Sequence, residues 1–328
     1  MSGRLMVVGL GPGGERALTG DARDALGRAE ALYGYGAYLD RVRMREGQTR
    51  HASDNREETA RAEAALRHAA SGTQVALVSG GDPGVFAMAA SVCEAIETGP
   101  EAWRALDIAV IPGVTAMLAV AARVGAPLGH DFCAISLSDN LKPWELIERR
   151  LEAAAGAGFV IALYNPVSRA RPWQLAKAFG LLSRHLPGAT PVIFGRAVGR
   201  ADEQLTIFTL AEAGATAADM ATLVIVGSRE TRVIARPGQS PLVYTPRAVE
   251  RVSACSSQAS ASSTVATDSA FGKAGRFSMM TGSPSARHAA ILPQVASPPL
   301  FLATTTSMRC CLSSARSSAS LNGPRAVM

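Results

Sequence analysis

Four short turns, each closing an apolar run, hold the residues best suited to chemistry: GLGPGG at 9–14, SGGDPG at 79–84, IPGVTA at 111–116 and YNP at 164–166. Glycine lets a ligand approach the backbone, and proline fixes the direction in which the chain leaves the turn. Gly9, Gly11 and Gly14 match the G-x-G-x-x-G spacing of dinucleotide loops, where backbone N–H groups hold a pyrophosphate and an acid about 20 residues on takes the ribose. Two features oppose that chemistry. Pro12 has no N–H to offer, and the next apolar stretch, Ala31-Leu32-Tyr33-Gly34-Tyr35-Gly36, ends in tyrosine and glycine where the acid should stand. In SGGDPG, Asp82 can accept hydrogen bonds or face a positive group; the structural alternative is capping of the helix that follows Pro83-Gly84.

Four such turns serve one ligand only if the strands before them end side by side. Apolar runs at 5–9, 32–34, 74–79, 107–111, 133–137, 159–164, 191–194, 204–208, 222–227 and 232–234 read as strands. Helical patterns fall between them at 54–70, 85–97, 114–124, 143–155 and 172–186. Ser53 or Asp54 is the expected cap of the first, and Pro143 and Pro172 open the last two. This alternation predicts an α/β protein with a mostly parallel sheet, in which ligands lie outside the carboxyl ends of the strands. The pattern restarts after residue 111, giving an N-terminal α/β domain at 1–112 and a C-terminal α/β domain at 113–246 with a ligand cleft between them. In the second domain, 204–208 is expected to pair antiparallel with 223–226. From 247 to 328 the character changes: seventeen of the 78 residues from Arg251 onward are serine, which predicts a low-complexity, disordered tail.

The net charge of +6 belongs to the residues from Arg251 onward, where seven Lys or Arg residues face only Asp268. The first 250 residues hold 26 groups of each sign, so the folded body lacks the electrostatic footprint of a nucleic-acid partner. No run of 18 uncharged apolar residues occurs, and MSGRLMVV leads a charge straight into a strand, unlike a signal peptide. The expectation is a cytoplasmic protein with no membrane partner. Of five cysteines, Cys93 and Cys133 sit in apolar surroundings and read as buried free thiols. No C-x-x-C pair or Cys/His cluster points to a metal.

VVGLGPGG, SGGDPGVFAMA and IPGVTAMLAVAARVGAPLGHDF, in that order and spacing, resemble the tetrapyrrole methyltransferases of the cobalamin (vitamin B12) pathway, which use S-adenosylmethionine. The similarity runs over about residues 4 to 246, including the closing LVYTP. Within the family, ISLSDNLKPWELIERRL at 135–151 and ALYNPVSRARPWQL at 162–175 look like the branch that methylates precorrin-3B at C17 and contracts the ring, giving precorrin-4. The resemblance implies a homodimer of two-domain α/β chains with S-adenosylmethionine in the interdomain cleft. By family motif, Gly80, Gly81, Asp82, Val85, Phe86, Thr115 and Ala116 line the cofactor, joined by Tyr164, Asn165 and Ala197. The first glycine loop, with Gly11, Pro12 and Gly13, becomes a wall near the macrocycle. Here the loop departs from its relatives at Gly14-Glu15 but keeps their Leu-Thr pair at Leu18-Thr19.

Methyl transfer from a sulfonium is an in-line displacement, so holding two reactants in line supplies most of what the step requires. Ring contraction must also remove a hydroxyl proton, and His51, Asp54 and Asp139 are the candidate bases. A tetrapyrrole carries many carboxylates, for which Arg169 and Arg171 are candidate partners. Trp144 and Trp173, each at a helix start, read as packing residues. Three competing readings stay open: methylation at another ring carbon, a nicotinamide-dependent reductase, and a binding module without turnover.

Overall fold

In a computed structural model of the chain, residues 3–54, 56–168, 170–214 and 218–248 are described; Arg169 and the segment from 249 onward, with most of the expected tail, lie outside them. The first five strands, β1 (Arg4–Gly9), β2 (Ala31–Tyr35), β3 (Thr49–Ser53), β4 (Gln74–Ser79) and β5 (Asp107–Ile111), form one parallel sheet in the order β3-β2-β4-β1-β5. Alternation along β1 and β4 feeds two cores. Leu5, Val7, Val75 and Leu77 pack against α3 (Glu58–Ala70) and α4 (Met88–Thr98). Met6, Val8, Ala76 and Val78 face α1 (Gly20–Arg28) and the single turn α2 (Gly36–Leu39). Strands buried on both faces read as continuous apolar runs, which is why RLMVVG and QVALVS were legible as strands.

The second sheet is mixed. Its strands are β7 (Phe132–Ser136), β8 (Val160–Tyr164), β9 (Pro191–Arg196), β10 (Gln204–Thr209) and β11 (Thr222–Val226), in the order β10-β9-β11-β8-β7. The helices α6 (Trp144–Gly156) and α7 (Gln174–Leu182) cover one face, and α5 (Ala116–Val124) covers the other. The two-residue β6 (Gly125–Ala126), β12 (Arg232–Arg236) and β13 (Gln239–Tyr244) make a small third sheet, and α8 (Leu210–Ala213) is one turn.

Several sequence expectations need correction. Residues 204–208 do not pair with 223–226: β9 lies between them and pairs antiparallel with both, since its backbone N–H and C=O groups are buried and need partners on each side. Residues 49–53 form an edge strand, unrecognised because TRHAS is polar and half-exposed. Neither Ser53 nor Asp54 caps α3, which begins at Glu58; the Ser53 Oγ instead accepts from Arg61 Nε at 2.7 Å. Cys93 is exposed, because α4 buries Met88, Ala89, Val92 and Ala95 and turns residue 93 to the opposite side. Cys133 is half-buried, and burial pushes its thiol up. Among the described residues no helix is long and apolar enough to cross a membrane, and no cluster of three His, Cys, Asp or Glu side chains is placed to hold a metal.

Candidate functional site

The turns converge. Gly11 and Gly81 form an antiparallel bridge, each N–H donating to the other's carbonyl at 3.1 Å. Both have left-handed backbones, φ +64° and +66°, open to glycine at no steric cost. A Cβ on Gly9 would stand 2.6 Å from Gly113 N and 2.8 Å from the Gly81 carbonyl oxygen, so the ends of β1, β4 and β5 touch through backbone alone. Asp82 fastens this contact: its Oδ1 accepts from Gly84 N–H at 2.8 Å and its Oδ2 from Gly113 N–H at 3.1 Å. It caps no helix, since α4 starts only at Met88. Thr19, of the retained Leu-Thr pair, caps α1 by accepting from Ala22 N–H at 3.1 Å, and its hydroxyl also donates to the Pro112 carbonyl at 3.3 Å.

A cleft opens at this junction, walled on the other side by the ends of β8 and β9 and the start of β11. Gly11, Pro12, Gly80, Gly81, Asp82, Val85, Phe86, Thr115, Ala116, Tyr164, Asn165 and Ala197 all line it. Gly13 stands just outside, packed so tightly on Gly199 that a Cβ would overlap the Gly199 carbonyl. Among the described residues only three non-glycines have positive φ: Phe86 at 51°, Asn165 at 51° and Ala197 at 49°. All three line the cleft, although they come from three different turns. Such conformations cost about 1–3 kcal/mol each and persist where the surroundings over-determine them, characteristically at ligand sites. Phe86 is 49% exposed, its ring 5.2 Å from that of Tyr164.

Tyr164 joins the two sheets. The Met117 N–H, unpaired by α5 because it lies in the first turn, donates to the Tyr164 hydroxyl at 3.2 Å, and the Thr115 Oγ1 lies 2.6 Å from the same oxygen. Thr115 occupies the N-cap position without capping, so the tyrosine serves in its place. Burial pushes the phenol above its ordinary range; the hydrogen bonds from Thr115 and Met117 oppose this, and the Asp82 carboxylate adds to it. Tyr164→Phe strands an N–H at the start of α5 and is expected to cost about 1–2 kcal/mol, measured as a lower urea midpoint.

Sequence reasoning missed the cleft's arginines. Arg41 directs Nη2 to the carbonyls of Leu10 at 3.4 Å, Gly11 at 2.8 Å and also Gly13. Burial and the neighbouring Arg200 hold it below the usual guanidinium range. The first glycine loop therefore turns carbonyls toward a cation, the reverse of a pyrophosphate cradle. Arg61, 4% exposed, binds Ser53, the Met88 sulfur at 3.4 Å and the Asp54 carbonyl. Arg200 donates to the Pro12 carbonyl at 3.4 Å. No local motif announces these arginines, because their partners lie up to 188 residues away in sequence.

The three candidate bases are not among the residues lining the cleft. The backbone carbonyl of Asp54 accepts from Arg61, which lines the cleft, and Asp139 lies 2.7 Å from Arg171 and accepts from Gln174 Nε2 at 3.1 Å. Arg171 is thus paired within the chain. His51 stacks on Tyr33 at 4.3 Å with His68 edge-on to both, and the Tyr33 hydroxyl meets His68 Nδ1 at 3.1 Å. Burial and His68 hold the His51 imidazole below its ordinary range, so the unfolded chain takes up its proton first. The expected result is a melting temperature that drops as pH falls below about 6.5, with a shallower drop in His51→Gln. Trp144 and Trp173 pack edge to face at 4.8 Å.

A family model described as Tetrapyrrole (Corrin/Porphyrin) Methylases matches residues 4–214. The chain belongs to the tetrapyrrole methylase family. A precorrin-3B C(17)-methyltransferase from Sinorhizobium sp is 63% identical over 247 residues, 75% of this chain and 97% of the relative. A probable cobalt-factor III C(17)-methyltransferase from Salmonella typhimurium is 42% identical over 74% of this chain and 98% of its own length. Among solved structures, the methyltransferase CobJ matches with a TM-score of 0.71 and 46% identity, covering 75% of this chain and all of that one. The α/β fold with two sheets facing a cleft is therefore the tetrapyrrole methylase fold, and the chain is a methyltransferase.

Proposed function

We propose that the chain transfers a methyl group from S-adenosylmethionine to C17 of precorrin-3B, with contraction of the macrocycle to precorrin-4 in cobalamin biosynthesis. The observation that carries this reading is the 63% identity across nearly the whole length of a relative bearing that activity in its name. The cobalt-containing substrate named for the relative from Salmonella typhimurium is the weaker reading, at 42% identity.

The cleft residues fit the cofactor. Three strained turns fix its walls, Gly81 leaves its backbone open to close approach, and Phe86 exposes an aromatic side chain to the cleft. When bound, S-adenosylmethionine supplies an electrophilic methyl group. In this reading Gly80, Gly81, Asp82, Val85, Phe86, Thr115, Ala116, Tyr164, Asn165 and Ala197 hold it, and Gly11, Pro12 and Gly13 form the wall toward the macrocycle. Halves at 1–112 and 113–246 contribute opposite walls. In the methyl transfer the protein's work is alignment: rigid turns hold two reactants in line, which supplies several kcal/mol without a dedicated acid or base. We also propose a homodimer, supported by the exposed apolar side chains Val110, Val114, Leu118 and Phe132 on β5, α5, β7 and the intervening turn; sedimentation equilibrium tests it, a monomer mass contradicting it.

The reaction is tested with methyl-13C S-adenosylmethionine and precorrin-3B. The expected product gains one methyl, carries the label at C17 and shows a contracted ring by NMR. Label at another carbon moves the chain to a different step of the pathway; no transfer contradicts the reading.

A further inference from the structure

The pairing of Arg171 with Asp139 raises a question of charge: which cations meet the carboxylates of the macrocycle? Arg41 and Arg61 line the cleft, but Arg61 is buried and Arg41 half-buried, and each is held by carbonyl oxygens of its own chain. Among the described residues two further cations stand at or beside the cleft. Arg200 is exposed, lines the cleft, and makes one long hydrogen bond to the Pro12 carbonyl at 3.4 Å. The acids that follow it are engaged elsewhere: Asp202 with Arg196 at 2.8 Å, and Glu203 with Arg123 at 2.8 Å and the Gly199 N–H at 2.6 Å. Lys142 is half-buried, with its ammonium 5.9 Å from the centre of the Phe86 ring at the cleft. Of the acids closest to it in sequence, Asp139 pairs with Arg171 and Glu148 with Lys177, each at 2.7 Å, and Glu145 makes no ion pair with it. Among the described residues no carboxylate lies within ion-pair distance of either Arg200 or Lys142.

We infer that Arg200 and Lys142 are the receptors for peripheral carboxylates of the tetrapyrrole, one beside Pro12 and one above Phe86. This rests on the methyltransferase reading of the cleft. Cations of a charge-neutral body that make no ion pair beside a cleft are matched by an anionic ligand, and a planar guanidinium takes a carboxylate through two parallel hydrogen bonds. Lys142 acts as a point charge whose stem lies over the aromatic ring. Arg41, behind Arg200, adds a second positive charge at that end while holding the loop carbonyls.

The test titrates uroporphyrin III, an octacarboxylate tetrapyrrole, into the full chain by fluorescence quenching, with S-adenosylhomocysteine titrated separately by calorimetry. Arg200→Gln and Lys142→Met are each expected to weaken the porphyrin about tenfold, the usual worth of a charged hydrogen-bonded contact. Arg200→Lys and Lys142→Arg should recover most of the loss, and S-adenosylhomocysteine affinity should not change. Unchanged porphyrin affinity in both neutral variants, with S-adenosylhomocysteine still bound, overturns this assignment alone. Equal weakening of both ligands overturns it as well, because the variants would then be disturbing the turns. Failure of the unaltered protein to bind either ligand overturns the methyltransferase reading together with it.

Discussion

Gly113→Ala is expected to lower stability by about 3 kcal/mol, at the upper end of what overpacking costs, and to weaken S-adenosylhomocysteine binding at least tenfold. The added Cβ would overlap the Gly81 carbonyl and stand 2.9 Å from the Gly9 carbonyl carbon, and both obstacles are backbone. No side chain can rotate away to relieve them. The turns after β1, β4 and β5 must separate, and the Gly113 N–H moves off the Asp82 Oδ2 that it now meets at 3.1 Å. Urea denaturation reads the first effect and calorimetry the second. A mutant with wild-type midpoint and affinity would mean that the three turns are not locked together.

Asp82→Ala is expected to weaken S-adenosylhomocysteine about 10- to 100-fold, since two backbone donors lose their charged acceptor and a share of that loss equal to one such contact, about 1.5–3 kcal/mol, falls on the bound state. Gly84 and Gly113 belong to different turns, so the one carboxylate holds both the path into α4 and the approach of the turn after β5. Asp82→Asn keeps one acceptor and should fall between wild type and alanine. Isothermal titration of the three proteins gives the ranking; equal affinities would reduce Asp82 to a solvated turn residue.

The site was legible in sequence where its signature was local. Glycine and proline mark turns by their own backbone limits, so 9–14, 79–84 and 111–116 could be picked out one by one, and strand order predicts that they meet. Tyr164 and Asn165 followed from the strand end before Pro166. What stayed hidden depends on distance. Arg41 and Arg200 look like ordinary surface charges until the fold brings them to the carbonyls of residues 10–13. Arg171 looked free for a substrate because nothing in ALYNPVSRARPWQL reveals Asp139 beside it. The start of α4 was placed three residues early because Val85, Phe86 and Ala87 fit a helical pattern, yet Phe86 takes a left-handed backbone that the helix forbids. The edge strand β3, which carries His51, escaped because polar edge strands carry little apolar alternation.

The most direct test of the central claim is calorimetric titration of the full chain with S-adenosylhomocysteine and, separately, with NADH. One S-adenosylhomocysteine site per chain, lost or weakened in Asp82→Ala, with no heat from NADH, is the predicted result. Binding of NADH, or S-adenosylhomocysteine binding indifferent to Asp82, would contradict the placement of the methyl donor in this cleft.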